Sequence, residues 1–180
     1  MAEENLIEVA DNRAHRTLVH IERVLLAIAG IALLGMMVVI TANAVGRYLF
    51  NAPISGILTL TELYLLIALI FFGLPYLQRH EGNINVDIVS KDFEPLRQEL
   101  IKLVVRTLIL GIFVLIAYEG ALSTLELLQT GATRSGIIPW PSYLSWGIFT
   151  VGLTVFCLRL IVQIYFGSKT AIRLYRGAEQ

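Results

Sequence analysis

Four long apolar stretches divide this chain, each closed by charged or turn-forming residues. The first runs from Val24 to Gly46 between Arg23 and Arg47, the second from about Ile57 to Gln78, the third from about Leu100 to Leu122, and the fourth from about Tyr143 to Phe166. A hydrocarbon core about 30 Å thick is crossed by roughly 20 apolar residues wound as a helix, which satisfies every backbone N–H and C=O within its own segment. Each stretch is long enough to cross with some tilt. The pattern predicts an all-α integral membrane protein of four transmembrane helices, one membrane domain over residues 1–180 with spans about 24–46, 57–78, 100–122 and 143–166. Ala42-Asn43-Ala44 fits a small-x-small cleavage site, but its apolar run is longer than the roughly 7–15 residues of a signal core, and an acidic stretch precedes it. A first transmembrane helix is the better reading.

Charge placement orients the helices. The N-terminal segment, the 79–102 loop and the C-terminus hold ten Lys and Arg, whereas the other two loops hold two, Arg47 and Arg134. Positively charged loops stay on the cytoplasmic side, so both termini and the middle loop are expected inside and the 47–57 and 123–142 loops outside. Two inner stretches mix apolar and charged residues: Arg13 to Arg23, with Leu18, Val19 and Ile21, and Ile84 to Arg97, with Val86, Ile88, Val89 and Phe93. Either is able to lie flat at the interface as an amphipathic helix; the alternative is a polar connection or an extension of the neighbouring span.

Composition agrees with the pattern and removes several functions. Hydrophobic residues make up 56% and charged ones 16%, against about 45–50% apolar content in a soluble domain. A net charge of zero gives no reason to invoke nucleic acid. Cys157 is the only cysteine, so an internal disulfide and a dithiol relay are both out of reach, and a quinone-linked thiol oxidase with them. The ionisable residues inside the runs, Glu62, Arg106, Glu119 and Arg159, all lie toward run ends, where their side chains are expected to snorkel to an interface and leave the midplane without charge. The remaining polar residues are few (Thr41, Asn43, Tyr64, Thr107, Thr150, Thr154), and a threonine in a helix usually returns its hydroxyl to its own backbone. Neither related halves nor a broken helix suggests a substrate site at mid-membrane. His15, His20 and His80 all lie outside the runs and cannot ligate a haem between helices. His80 with Asp87 makes too small a set for a metal. With no phosphate-binding glycine loop and no nucleophile beside a base, no enzyme and no cofactor are expected. What remains is a subunit that holds or completes something else in the membrane.

Several ordered pieces then carry a resemblance. Arg47-Tyr-Leu-Phe-Asn51-Ala-Pro53-Ile54 follows the first run, Glu62-Leu63 opens the second, and Gly73 and Arg79-His80-Glu-Gly82-Asn-Ile84-Asn-Val86-Asp87 lie at its exit. Thr133-Arg134-Ser135-Gly-Ile137-Ile138-Pro139 precedes the fourth. In order and spacing, over about residues 20 to 165, the chain resembles the small membrane subunit (the DctQ-like, or Q, subunit) of tripartite ATP-independent periplasmic (TRAP) transporters. It departs from that pattern at Ser55-Gly56-Ile57 and Thr61-Glu62, where relatives commonly carry a tryptophan after the proline and an acidic pair before the leucine.

The resemblance implies a three-part secondary importer in a bacterial inner membrane, driven by a sodium gradient. In such a system a periplasmic binding protein captures an organic acid, and a large membrane subunit of about twelve spans carries the substrate and sodium sites. The small subunit extends the fixed scaffold and offers part of the outer surface on which the binding protein docks. On this chain the docking candidates are Arg47, Asn51, Pro53 and Glu62 in and beside the first outer loop and Arg134, Ser135 and Pro139 in the second. Arg47 has an equal alternative as a cap on the carboxyl end of its helix. Two other classes stay open: an assembly subunit of an unrelated complex, and a small autonomous transporter built by oligomerisation.

Overall fold

The computed structural model describes residues 2–52, 56–80, 95–134 and 138–177. It is an all-α membrane fold, with four helices long and apolar enough to cross a bilayer. These are α1 (Ala2–Leu49), α2 (Ile57–Arg79), α3 (Pro95–Thr130) and α4 (Ser142–Gly177). Between the last two, strands β1 (Thr133–Arg134) and β2 (Trp140–Pro141) pair antiparallel, Thr133 opposite Pro141 and Arg134 opposite Trp140. The end carrying this small hairpin, the close of α1 and the start of α2 is called the hairpin end; the opposite one is the basic end.

The helices overrun the apolar runs that announce them. Both α3 and α4 have 36 residues, about 54 Å at roughly 1.5 Å per residue. The 123–142 segment, expected as a long loop, is therefore helical as far as Thr130, and only the hairpin connects α3 to α4. Leu125, Leu127 and Leu128 continue the helix, and the hydroxyls of Thr124 and Thr130 donate to the carbonyls of Gly120 and Glu126. α3 stops at Gly131, whose φ of 61° is left-handed and whose N–H reaches Leu127 O at 3.0 Å. Helices commonly end on such a residue, glycine bearing no Cβ penalty there. α1 ends the same way on Asn51 (φ 50°), with the N–H of Ala52 closing onto Gly46 O at 3.0 Å.

The Arg13–Arg23 stretch is part of α1, so it extends the first span and does not form a separate interfacial helix. The other amphipathic stretch falls mostly outside the described residues. Leu18, Glu22, Leu25, Ala29 and Ala32 are buried, at alternating spacings of four and three, the seam of a helix facing a neighbour at small crossing angle. That seam packs on Ala68 and Phe72 of α2 and Val155 of α4.

α2 contains two irregularities. Thr61–Leu65 is a π-helical turn, which the sequence reading did not anticipate. Pro75 lies inside the helix and leaves the Phe71 carbonyl without its usual donor four residues on. At that carbonyl α4 presents Gly152, where a Cβ would lie 2.5 Å from Phe71 O. The two backbones thus meet at the carbonyl that Pro75 deprives of its i+4 donor. α3 lies on the far side of α4 and packs chiefly on it, through Phe113 against Phe156 (centroids 4.9 Å apart) and Gly120 against Phe149 and Thr150. The four helices do not close into a ring.

Candidate functional site

At the hairpin end the two connecting segments are joined. Gly56 begins α2 in a left-handed conformation (φ 80°), and a Cβ there would come 2.9 Å from the Ile138 side chain. The π turn leaves Glu62 exposed while Thr61 and Tyr64 point inward. Thr61 Oγ1 donates to Ile57 O at 2.9 Å. The Tyr64 hydroxyl donates to Pro141 O at 2.8 Å, and its ring meets Trp140 edge-on at 5.7 Å. Thr107, Thr150 and Thr154 bond back to their fourth preceding carbonyls as expected of helical threonines, whereas Tyr64 fastens α2 to the hairpin. Beside this joint lies a cleft of about 280 Å³ lined by Leu63, Ile67, Arg134, Ser142, Ser145, Trp146 and Phe149. The Arg134 guanidinium and the Ser142 hydroxyl suit the carboxylate of an inserted side chain, while the Ser145 hydroxyl donates to Ser142 O at 3.0 Å.

Of the seven expected docking residues, Pro53 and Ser135 lie outside the described residues. Arg47 is exposed in the last turn of α1, where its guanidinium sits 4.7 Å over the Tyr48 ring and donates to the Tyr48 hydroxyl at 3.1 Å. Asn51 supplies the turn after α1, and Pro139 is exposed just before β2. Arg134 lines the cleft. Among the described residues, no ion pair or hydrogen bond joins Arg47, Glu62 and Arg134 to one another, and none gives Glu62 or Arg134 a charged partner.

The basic end is built differently and corrects one expectation. Arg159 does not snorkel. It is 2% exposed, and its Nε and Nη2 donate to Glu22 Oε1 and Oε2 at 2.6 and 2.5 Å. Glu22 is fully buried, and Arg79 of α2 stands 4.0 Å from the same carboxylate. One layer away, Gln78 Nε2 donates to Gln163 Oε1, and Gln163 Nε2 donates back to Gln78 O, both at 2.9 Å. Polar side chains thereby tie α1, α2 and α4 together about 25 Å down α4 from Ser142, at roughly 1.5 Å per residue. Arg159 stays inside because a two-pronged match to a carboxylate is available there. Glu22 was not singled out in the sequence, although it shares the heptad stripe of Leu18, Leu25 and Ala29.

Residues 36–169 match the family model described as tripartite ATP-independent periplasmic transporters, DctQ component. The chain belongs to this family. Neither a curated protein nor a solved structure matches it significantly. As a DctQ component it is a multi-pass protein of the inner membrane and a part of a transporter that works with other TRAP components. The matched region takes in the whole hairpin end of this DctQ chain. Its buried ion pair straddles the boundary, with Arg159 inside the matched region and Glu22 upstream of it.

Proposed function

We propose that this DctQ component is the non-catalytic small subunit of a sodium-driven importer of organic acids, with both termini cytoplasmic and the hairpin end facing the periplasm. Its four helices form one fixed membrane domain beside the large membrane subunit, and the hairpin end carries part of the docking surface for the periplasmic binding protein. The sodium gradient, the organic acid and the docking role follow from the family resemblance; this chain's own geometry supports the last. The observation that carries it is the pair of exposed charges, Arg134 and Glu62, without charged partners among the described residues, at an end that is otherwise internally fastened through Tyr64 and Gly56. Unpaired charges on a braced surface keep their geometry for an incoming partner, whose complementary charges then set encounter rate and register. Pro53, Asn51, Ser135 and Pro139 flank these charges in the two loops, and Arg47 adds a second cation.

The experiment is a tagged Arg134→Glu chain expressed with its transport partners. The variant is expected to co-purify with a large membrane subunit as wild type does, while uptake falls about ten-fold, as loss of one charge-assisted contact and introduction of a repulsive one would give. Unchanged uptake would remove Arg134 from the docking surface. Failure of even the wild-type chain to bring down a large membrane subunit would overturn the importer reading as a whole.

A further inference from the structure

At the basic end, α1 and the close of α2 border an open crevice of about 390 Å³ that the transport reading does not use. It is lined by His15, Arg16, Val19, His20 and Arg23 of α1 and by Arg79 of α2. These α1 positions share one face, beside the buried seam of Leu18, Glu22 and Leu25. Among the described residues, three guanidiniums and two imidazoles line the space, and no carboxylate does. Glu22, the acid beside it among the described residues, is fully buried and engaged by both prongs of Arg159, with Arg79 at 4.0 Å. His15 packs edge-on to Phe166 at 6.0 Å, and its buried Nδ1 has no hydrogen-bond partner among the described residues. Past Arg23 the same face of α1 turns apolar through Ala27 and Gly30 to Leu34 and Met37, which are 63% and 59% exposed. The crevice therefore sits at the edge of the hydrocarbon-facing surface, whichever side of the membrane it occupies.

We infer that this crevice binds the phosphate of an anionic phospholipid headgroup, its acyl chains lying along the Ala27–Gly30–Leu34–Met37 face. Guanidiniums match phosphate oxygens in pairs, and basic pockets between helices at the membrane surface hold anionic headgroups. The apolar face below the arginines distinguishes a lipid from free phosphate, although the phosphate chemistry is common to both.

The test uses the full chain purified in detergent and native mass spectrometry. The wild type is expected to retain dioleoyl phosphatidylglycerol in preference to dioleoyl phosphatidylcholine, whose choline offsets the phosphate charge. An R16Q/R23Q double variant, changing two exposed residues, is expected to lose that retention by about five-fold for each arginine, while R47Q at the far end keeps it. If inorganic phosphate instead raises the thermal midpoint of the wild type but not of R16Q/R23Q, and displaces the lipid, the site is a phosphate site supplied from solution. Equal lipid retention by wild type and double variant, with no response of either to phosphate, would overturn the proposal.

Discussion

Glu22 and Arg159 each make the other tolerable inside the protein. A carboxylate with no exposure and a guanidinium with almost none would each be very costly alone, and the two-pronged contact offsets most of that cost. The Glu22→Gln chain should therefore lose about 3–5 kcal/mol of stability, because it strands a buried cation. Adding Arg159→Met to the same chain should restore most of it. A double-mutant cycle on thermal unfolding in detergent measures both, and an unchanged midpoint for Glu22→Gln would show that the pair holds nothing. Arg79→Gln should cost under about 1 kcal/mol, since that side chain is 28% exposed and its contact is at the outer limit of an ion pair. Read alone, Arg159 near the end of an apolar run has an obvious exit to water, which is why snorkelling is the natural expectation. The signal against it lies on α1, where a glutamate occupies a stripe otherwise apolar. What no sequence pattern supplies is that the two residues, 137 positions apart, share a layer.

At the level of elements, the apolar runs locate all four helices but misjudge their ends. Hydropathy reports where lipid would be, whereas a helix stops where backbone geometry stops it, here at Asn51 and Gly131. Both residue types are recognised stop signals, and Gly131 was available to shorten the expected 123–142 loop. The π turn was not legible in the same way, because it coincides with the contact between Tyr64 and the hairpin. The α2–α4 crossing depends on a pairing between a freed carbonyl and an absent side chain. Gly152→Ala should cost about 1–3 kcal/mol, because the methyl would meet Phe71 backbone that has nowhere to move. Gly111→Ala on α3, with nothing within 4 Å of the added atom, should be neutral or stabilise by about 0.5–1 kcal/mol through helix preference alone. Comparing the two thermal midpoints separates packing from propensity, and a Gly152→Ala midpoint equal to that of Gly111→Ala would refute the tight crossing.

For the whole molecule, the all-α membrane fold was readable from composition and run length, and the family from the ordered loop residues. The arrangement of the helices was not, since four apolar runs are compatible with many orders of packing. The orientation assigned here follows from the uneven distribution of Lys and Arg, and it can be checked with added cysteines because the native Cys157 is buried. In intact spheroplasts an impermeant maleimide should label Thr133→Cys at once and Lys169→Cys only after lysis, both positions being exposed. The reverse pattern would invert the topology and move the docking surface to the other side.

The way α3 leans chiefly on α4 has a consequence for how the chain is made. Helices enter the membrane in the order of synthesis. α1 and α2 find each other first, through Leu25, Ala29, Ala68 and Phe72. α3, arriving next, lacks its main packing partner among the described residues, and Glu22 has only the looser contact with Arg79 at 4.0 Å. Both wait for the last helix to leave the ribosome. α4 then brings Arg159 to the stranded carboxylate, Gln163 to Gln78, Gly152 to the open carbonyl of Phe71, and the surface on which α3 rests. A nascent chain halted before α4 would thus hold α1 and α2 packed and α3 without its main support, and its maturation is concentrated in one late event.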